Sequence, residues 1–515
     1  MTARPWISGI RRALLALGAT IALAVSVIVG MPATSQAASQ GPCDIYAAAG
    51  TPCVAAHSTV RALYAGYDGP LYQVQRSSDS TYATISPLTT GSVANAAAQD
   101  AFCADTTCII TRIYDQSANH NDLTIEGPGG NGGQDVGAYA NALPVTIGGQ
   151  KAYGVYIAPG MGYRDNATKG VATGSTAQDE YMVTSGTHVN NGCCFDYGNA
   201  ETNSDDNGNG HMSAINFGTE CWFSPCSGSG PWVQADLENG LFAGGNGSDT
   251  GNLGNSSAFV TALVRTNGTS TYSIQGGNAQ SGTLTDWYDG SLPTTGGYTP
   301  MHQEGAIVLG TGGDNSHSSA GSFFEGVMTA SLPSEATDAA VQANIVAAGY
   351  ATYPRASALA VGSRISLQAT TACCTGDYIT HDASDTKVVI SPITSATAAA
   401  TKSDATWLVE AGLANSSCIS FESANDSGQY LRHSGFEIWL EPNDGSSQFA
   451  QDATFCPQPG IAGQGFSFQT VNYPGQYIRH YDYTVYVAGD GGSNAWDSAT
   501  LWTNDITWSV ASPWA

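Results

Sequence analysis

The chain has 515 residues, enough for two or three domains with cores of their own. Charged residues are 11% of it, against about a quarter in ordinary soluble domains, while 62 glycines and 24 tyrosines suit short strands joined by tight turns, so the composition is that of an all-β protein. Acidic residues outnumber basic ones 42 to 16, a formal net charge of −26, and that repulsion acts against nucleic acid, anionic membrane and acidic polymers and favours a neutral partner.

In chain order, Arg4, Arg11 and Arg12 precede the apolar run from Ala13 to Gly30, and Ser35-Gln36-Ala37 offers a small-residue cleavage site. Residues 1–37 therefore read as an export signal, with an uncleaved anchor as the alternative because the run is near spanning length. Arg11-Arg12 also fits a twin-arginine signal. Each route leads outside the cytosol, and a secreted protein is expected.

All twelve cysteines follow that segment, so disulfides are the default. Cys43 with Cys53, Cys103 with Cys108, Cys221 with Cys226, and Cys418 with Cys456 suggest themselves as local pairs. Cys193-Cys194 and Cys373-Cys374 are adjacent; each pair either closes a small rigid ring, or its cysteines pair elsewhere or stay buried. The close cysteines are not matched by histidines at ligand spacing, so no metal site and no cofactor is expected.

From residue 38 to 352 alternating stretches and glycine turns predict one β domain, with a helix over Glu335 to Tyr350 carrying the stripe Val341, Ile345, Val346 and Tyr350. In Trp232-Val233-Gln234-Ala235-Asp236-Leu237-Glu238-Asn239-Gly240, period-two alternation sends Trp232, Gln234, Asp236 and Glu238 to one face, and Val233, Ala235 and Leu237 to the other. Two carboxylates, an amide and an indole on one face suit a sugar; a merely solvated outer face is the competing reading. Further on, Ala306-Ile307-Val308-Leu309 runs into Gly310-Thr311-Gly312-Gly313-Asp314-Asn315, which sets Asp314 at a strand end, as a site residue or as a common turn aspartate.

After a short segment from Pro354 to Ala360, residues 353–515 repeat a phrase three times: Gly376-Asp377-Tyr378-Ile379-Thr380-His381, Gly428-Gln429-Tyr430-Leu431-Arg432-His433 and Gly475-Gln476-Tyr477-Ile478-Arg479-His480. A second phrase follows each copy, at Asp404-Ala405-Thr406-Trp407, Asp452-Ala453-Thr454-Phe455 and Asp505-Ile506-Thr507-Trp508. The period is about 50 residues, and three β-rich units that cannot bury a core alone must share one, which predicts a β-trefoil. Each repeat offers a histidine and an aspartate, His381 with Asp404, His433 with Asp452 and His480 with Asp505, close enough to line one small pocket per repeat. Core tyrosines and histidines of the trefoil are the competing reading.

The phrases Cys193-Cys194-Phe195-Asp196-Tyr197-Gly198-Asn199-Ala200-Glu201, Ala235-Asp236-Leu237-Glu238-Asn239-Gly240-Leu241-Phe242 and Gly312-Gly313-Asp314-Asn315 resemble those of the α-L-arabinofuranosidases of glycoside hydrolase family 54. The start Gly41-Pro42-Cys43-Asp44-Ile45-Tyr46 and the triple repeat, similar to carbohydrate-binding module family 42, extend the likeness over nearly all of the mature chain. The resemblance implies a concanavalin-like β-sandwich catalytic domain followed by an arabinose-binding β-trefoil. It implies a retaining, exo-acting enzyme that removes terminal arabinofuranosyl branches from arabinoxylan or arabinan, with Glu238 as nucleophile and Asp314 as general acid/base. Double displacement needs the first ionised and the second protonated when substrate arrives. The likeness further gives Asp236, Asn239 and Gly313 to sugar binding, Trp222 to the pocket wall, and a Cys193-Cys194 bridge to the floor beneath the furanose. In the resembled family the first trefoil repeat lacks a working site, whereas His381 and Asp404 are both present here, which leaves two or three sugar sites. A monomer acting on arabinose-containing plant cell-wall polysaccharides is expected. The rivals are a secreted arabinan-binding lectin without catalysis, and a glycosidase acting on β-xylose or β-galactofuranose.

Overall fold

Short strands joined by turns and loops dominate the described residues of the computed structural model, which are 40–515 apart from 105, 354–356, 383, 417, 463 and 474. The expected export signal lies outside the described residues. Among the described residues no helix is long and apolar enough to cross a membrane.

The first two thirds form a β-sandwich. One sheet has six antiparallel strands, with Gln178–Thr184 and Val260–Thr266 at its centre; a second has ten, and runs from Leu241–Phe242 through Trp232–Asp236, Ser213–Gly218, Asp196–Ala200 and Ala306–Leu309 to Tyr82–Ile85; a smaller third sheet joins Gly321–Phe323, Gln150–Ile157, Leu143–Ile147 and Tyr350–Thr352. Between the first two lies a core in which Tyr197, Ile215, Val233 and Ala235 of the large sheet meet Met182, Ala262, Val264 and Ile274 of the six-stranded one. Alternation along Trp232–Asp236 thus works as the sequence predicts for Val233 and Ala235. The opposite face is not solvated, since Gln234, Asp236 and Glu238 are all buried beneath loops.

The helix near the end of this region spans Glu335–Ala348, capped by Ser334 and closed by Gly349 at φ 70°. It stops two residues short of the predicted end because Gly349 takes the left-handed conformation that ends helices. Tyr350 instead opens the strand Tyr350–Thr352 and is buried from there. Two further helices of seven residues, Pro42–Ala48 and Ala96–Phe102, were not predicted.

The last third is a β-trefoil of twelve strands. Its three hairpins, Asp377–His381 with Val388–Pro392, Gln429–Ser434 with Glu437–Pro442, and Tyr477–Tyr481 with Thr484–Ala488, meet around a shared core of Ile379, Leu431 and Ile478 with Leu367, Phe421 and Phe468. The indole N–H of Trp407 donates to the Ile379 carbonyl at 3.1 Å, and that of Trp508 donates to the equivalent Ile478 carbonyl at 3.0 Å. Phe455 fills the same place without a donor. Three short helices end on Asp404, Asp452 and Asp505, so the repeat fixes the aspartates by backbone geometry as well as by spacing.

Six disulfides join Cys43 to Cys53, Cys103 to Cys108, Cys193 to Cys194, Cys221 to Cys226, Cys373 to Cys374, and Cys418 to Cys456. Residues 38–515 cluster as one unit, with the Tyr156 hydroxyl of the sandwich donating to the Val471 carbonyl of the trefoil at 2.5 Å.

Candidate active site

Past Asp236 the edge of the large sheet breaks into a turn in which Glu238 and Asn239 take φ of 63° and 53°, a conformation that costs a side chain with a Cβ and persists only when held. It is held from three sides. The Glu238 amide donates to Asp236 Oδ1 at 3.0 Å, and the Tyr298 hydroxyl donates to the carbonyls of Glu238 and Asn239 at 3.0 and 3.2 Å. Asn239 Nδ2 donates to Asp206 Oδ1 at 3.0 Å.

The loop after Ala306–Leu309 brings Asp314 to the same place. Its Oδ1 accepts from the Ser316 amide at 2.9 Å and the Ser316 hydroxyl at 2.6 Å, while its carbonyl accepts from the Asn131 amide at 2.9 Å. Asn315, at φ 64°, ties the loop down by donating to the carbonyls of Gly127 and Gly133 at 2.9 and 2.7 Å. Gly313 must be glycine for a steric reason: a Cβ there would lie 2.1 Å from Glu201 Oε2. Arg164 fastens the two segments together, because one guanidinium donates to the Gly313 carbonyl at 2.8 Å and to the Glu201 carbonyl.

These elements enclose a cavity of about 210 Å³ whose wall includes Glu238, Asp314, Asp236, Trp222 and the Cys193–Cys194 ring. Asn239, Gly313 and Asp206 complete it. An Asp236 carboxylate oxygen lies within 4.8 Å of both sulfurs; they are already bonded to each other and offer a soft apolar surface, not thiolate ligands. Trp222 stands 49% exposed in the loop closed by Cys221–Cys226, and its neighbour Phe223 packs on Phe242 with ring centres 4.8 Å apart. Phe223 thus roots the loop in the core and leaves the indole free to face the cavity.

The carboxyl groups meet in pairs. Burial, a hydrogen bond to Glu201 and the charge of Asp236 push Glu238 up to about 12, while burial also raises Glu201. The two carboxyl groups are neighbours, and the protonated form is favoured on Glu238. Beside them burial pushes Asp236 up to about 7 and, with the charge of Asp236, raises Asp196 well above the usual range. The ionised Glu238 that double displacement needs is thus disfavoured by burial and by the neighbouring carboxyl groups of Glu201 and Asp236. Sequence reasoning missed Asp196 and Glu201 as partners, although both stand in the phrase that begins at Cys193. The register that sets Asp196 opposite Asn216, and Asn216 opposite Gln234, was the missing information. Asp206, Asn131 and Ser316 carried no signal beyond ordinary turn chemistry.

In the trefoil the predicted pairs also come together. His381 Nε2 is 3.3 Å from Asp404, His433 Nε2 is 3.4 Å from Asp452, and His480 Nε2 is 3.6 Å from Asp505. Arg432 and Arg479 reach Asp452 and Asp505 at 3.1 and 2.9 Å, whereas Thr380 holds the corresponding place in the first repeat. Burial lowers the pKa of both His433 and His480, so each stays a neutral imidazole that can donate and accept.

Carboxyl groups converging with an indole and a sulfur wall on a cavity the size of one sugar ring define the class of protein, a glycoside hydrolase, and the trefoil adds a carbohydrate-binding module. Comparison with known proteins makes this specific. Residues 42–351 match the family described as "Alpha-L-arabinofuranosidase B, catalytic", and residues 367–510 match the "Alpha-L-arabinofuranosidase B (ABFB) domain". The chain is 55% identical over 449 residues to an alpha-L-arabinofuranosidase of Hypocrea jecorina, covering 86% of this chain and 89% of the relative. It is equally close, over the same shares, to a protein of Trichoderma koningii named arabinofuranosidase/B-xylosidase. A solved arabinofuranosidase complexed with arabinofuranosyl-alpha-1,2-xylobiose is 49% identical with a TM-score of 0.83, covering 92% of this chain and all of the other. The chain belongs to the glycoside hydrolase family 54 arabinofuranosidases and is an enzyme with α-L-arabinofuranosidase activity.

Proposed function

We propose that the protein is a secreted, retaining, exo-acting arabinofuranosidase that removes terminal arabinofuranosyl branches from arabinoxylan or arabinan. The observation that supports this most is that Glu238 and Asp314 open on one cavity of about 210 Å³, suited to a single sugar ring and lined also by the Cys193–Cys194 ring. Asp314, half-buried and fixed by Ser316, protonates the leaving oxygen, and Glu238 attacks the anomeric carbon. Attack requires the shared proton to reside on Glu201, which is itself buried enough to keep it. Glu201 then donates a hydrogen bond to the ionised Glu238. Once the ester forms, Asp314, now ionised, takes a proton from water, which releases the sugar with its original configuration. Asp236 and Asn239 accept and donate to ring hydroxyls, with Trp222 covering the open side.

Residues 38–352 carry this chemistry, and residues 353–515 hold the enzyme on arabinose-bearing polymer through His433 with Asp452 and His480 with Asp505. The chain works as a monomer on neutral polysaccharide, away from nucleic acid and membrane, and needs no metal. Proton NMR of the first-formed product tests the core of the reading: α-arabinofuranose appearing before mutarotation supports it, and the β anomer refutes double displacement.

One relative's name favours a second activity on β-xylosides, since the Trichoderma koningii protein is named for both sugars. Rates on aryl α-L-arabinofuranoside and aryl β-D-xyloside, measured side by side, decide whether this cavity accepts the second.

A further inference from the structure

Each histidine–aspartate pair of the trefoil is completed by a loop of the next repeat, in cyclic order. Asn425 Nδ2 donates to Asp404 Oδ1 at 2.9 Å, Asn472 Nδ2 to Asp452 Oδ1 at 2.8 Å, and the Thr371 hydroxyl to Asp505 Oδ1 at 2.8 Å. The same three loops then place very different groups beside the histidines. In the first pocket Asp426 sets a carboxylate 3.5 Å from His381. In the second, the Tyr473 ring stands edge-on to His433 with centres 5.5 Å apart, and 40% of the residue is exposed. In the third, Cys373 and Cys374 line a cavity of about 340 Å³ together with Arg479, His480 and Asp505.

We propose that the Cys373–Cys374 disulfide is a sugar-contacting wall of the third trefoil pocket, the sulfur counterpart of Tyr473 in the second. It rests on the reading of His480 and Asp505 as sugar ligands. A neutral furanose presents hydroxyls on its rim and C–H bonds on its faces, so hydrogen-bonding groups alone leave one face against water. A polarizable surface beside them removes that defect, and disulfide sulfur is soft and apolar as an aromatic face is. Backbone hydrogen bonds hold the ring in place. The Cys374 amide donates to the Thr371 carbonyl at 2.8 Å, the Asp377 amide donates to the Cys374 carbonyl at 2.9 Å, and Cys374 is buried while Cys373 is exposed. Thr371, which orders this turn, is also the residue that orients Asp505 and His480. Tyr483 and Leu501, 59% and 58% exposed, line the same cavity, which leaves room for the rest of a polymer chain. The first pocket has a second carboxylate where the other two have a wall, so the walled, sugar-suited pockets number two.

Affinity electrophoresis of the full-length protein in arabinoxylan gels tests this. In an Asp452→Ala background, where the third pocket dominates retention, Cys373→Ala with Cys374→Ala should weaken binding about tenfold. In an Asp505→Ala background the same double change should alter nothing further. Replacing the ring by Cys373→Tyr with Cys374→Ala should recover most of the loss, which a merely structural bridge would not allow. Equal binding with and without the disulfide in the first background overturns the wall, as does an equal loss in both backgrounds, which would mark a general loss of fold. Should Asp505→Ala alone cost no affinity, the sugar reading of the pocket fails first and takes the wall with it.

Discussion

In the sandwich cavity carboxyl faces carboxyl; in the trefoil pockets carboxylate faces guanidinium and imidazole. Glu238 meets Glu201 and Asp236 meets Asp196, whereas Asp452 meets Arg432 and His433, and Asp505 meets Arg479 and His480. Buried like charges cannot all ionise, so the first arrangement stores protons where a reaction can move them. The second fixes charge and geometry, which is what the proposed recognition of sugar requires. The sandwich cavity and the third trefoil pocket are nonetheless each lined by a vicinal disulfide.

The comparison breaks first if the sandwich carboxyls prove dispensable. Glu238→Gln should lower turnover about a thousandfold or more, on aryl and natural substrates alike, with retention on arabinoxylan kept. A variant with a tenth of the wild-type rate would falsify the nucleophile assignment. Asp314→Asn should lower hydrolysis of natural arabinoxylan by about 10²–10⁴-fold, and far less on aryl arabinofuranosides whose leaving groups need no proton. Added azide should then yield a glycosyl azide; equal losses on both substrates would remove the acid/base role.

How much of this is legible in the sequence differs between the two regions for a physical reason. A threefold repeat writes itself into sequence, so the hairpins, the shared core and all three histidine–aspartate pairs can be read from spacing. Sandwich strands carry no such internal copy. Period two tells which face Asp236 and Glu238 share, and short phrases point to Asp314 and Cys193, yet Asp196 and Glu201 come to Asp236 and Glu238 only through strand register and loop packing, which one sequence does not encode locally. The end of the helix at Ala348 is misjudged because Tyr350 is buried, and burial alone does not distinguish a last helical turn from a first strand residue. Cyclic completion of the trefoil pockets is invisible for the opposite reason: Thr371, Asn425 and Asn472 lie outside the repeated phrases.

Shared protons can be tested through pH. With Glu201 beside it and in a buried site, Glu238 is held well above the ordinary glutamate range, so its ionised form is scarce at acid pH. Glu201→Gln removes one negative charge and can supply an N–H donor instead; both changes favour ionised Glu238 and lower its pKa. The ascending acid limb of kcat/KM should therefore move to lower pH, by about one unit or more. A limb left where it was, with the rate merely reduced, would show that Glu201 braces the fold and does not govern the proton.

The smallest effects are expected in the trefoil, where the proposed sites bind weakly and act together. Asp452 and Asp505 are each held by an arginine, a histidine and a residue of the next repeat, so their free oxygen positions are oriented before any sugar arrives. Losing one such acceptor costs about 1 to 3 kcal/mol, or roughly 5- to 150-fold in the affinity of that pocket. Retention on a polymer should fall less than this for Asp452→Ala or Asp505→Ala alone, because the remaining pocket still tethers the chain at high effective concentration. The double variant should lose most retention, and polymer binding should fall far more than turnover of small aryl arabinofuranosides. Asp404 supplies the contrast within the trefoil itself: it meets His381, Asn425 and the Asp426 carboxylate nearby, with Thr380 where the other repeats have arginine. Adding Asp404→Ala to the double variant should therefore change retention little. A clear further loss would make the first repeat a working third site, and would show that neither the guanidinium nor the apolar wall is required to hold a sugar.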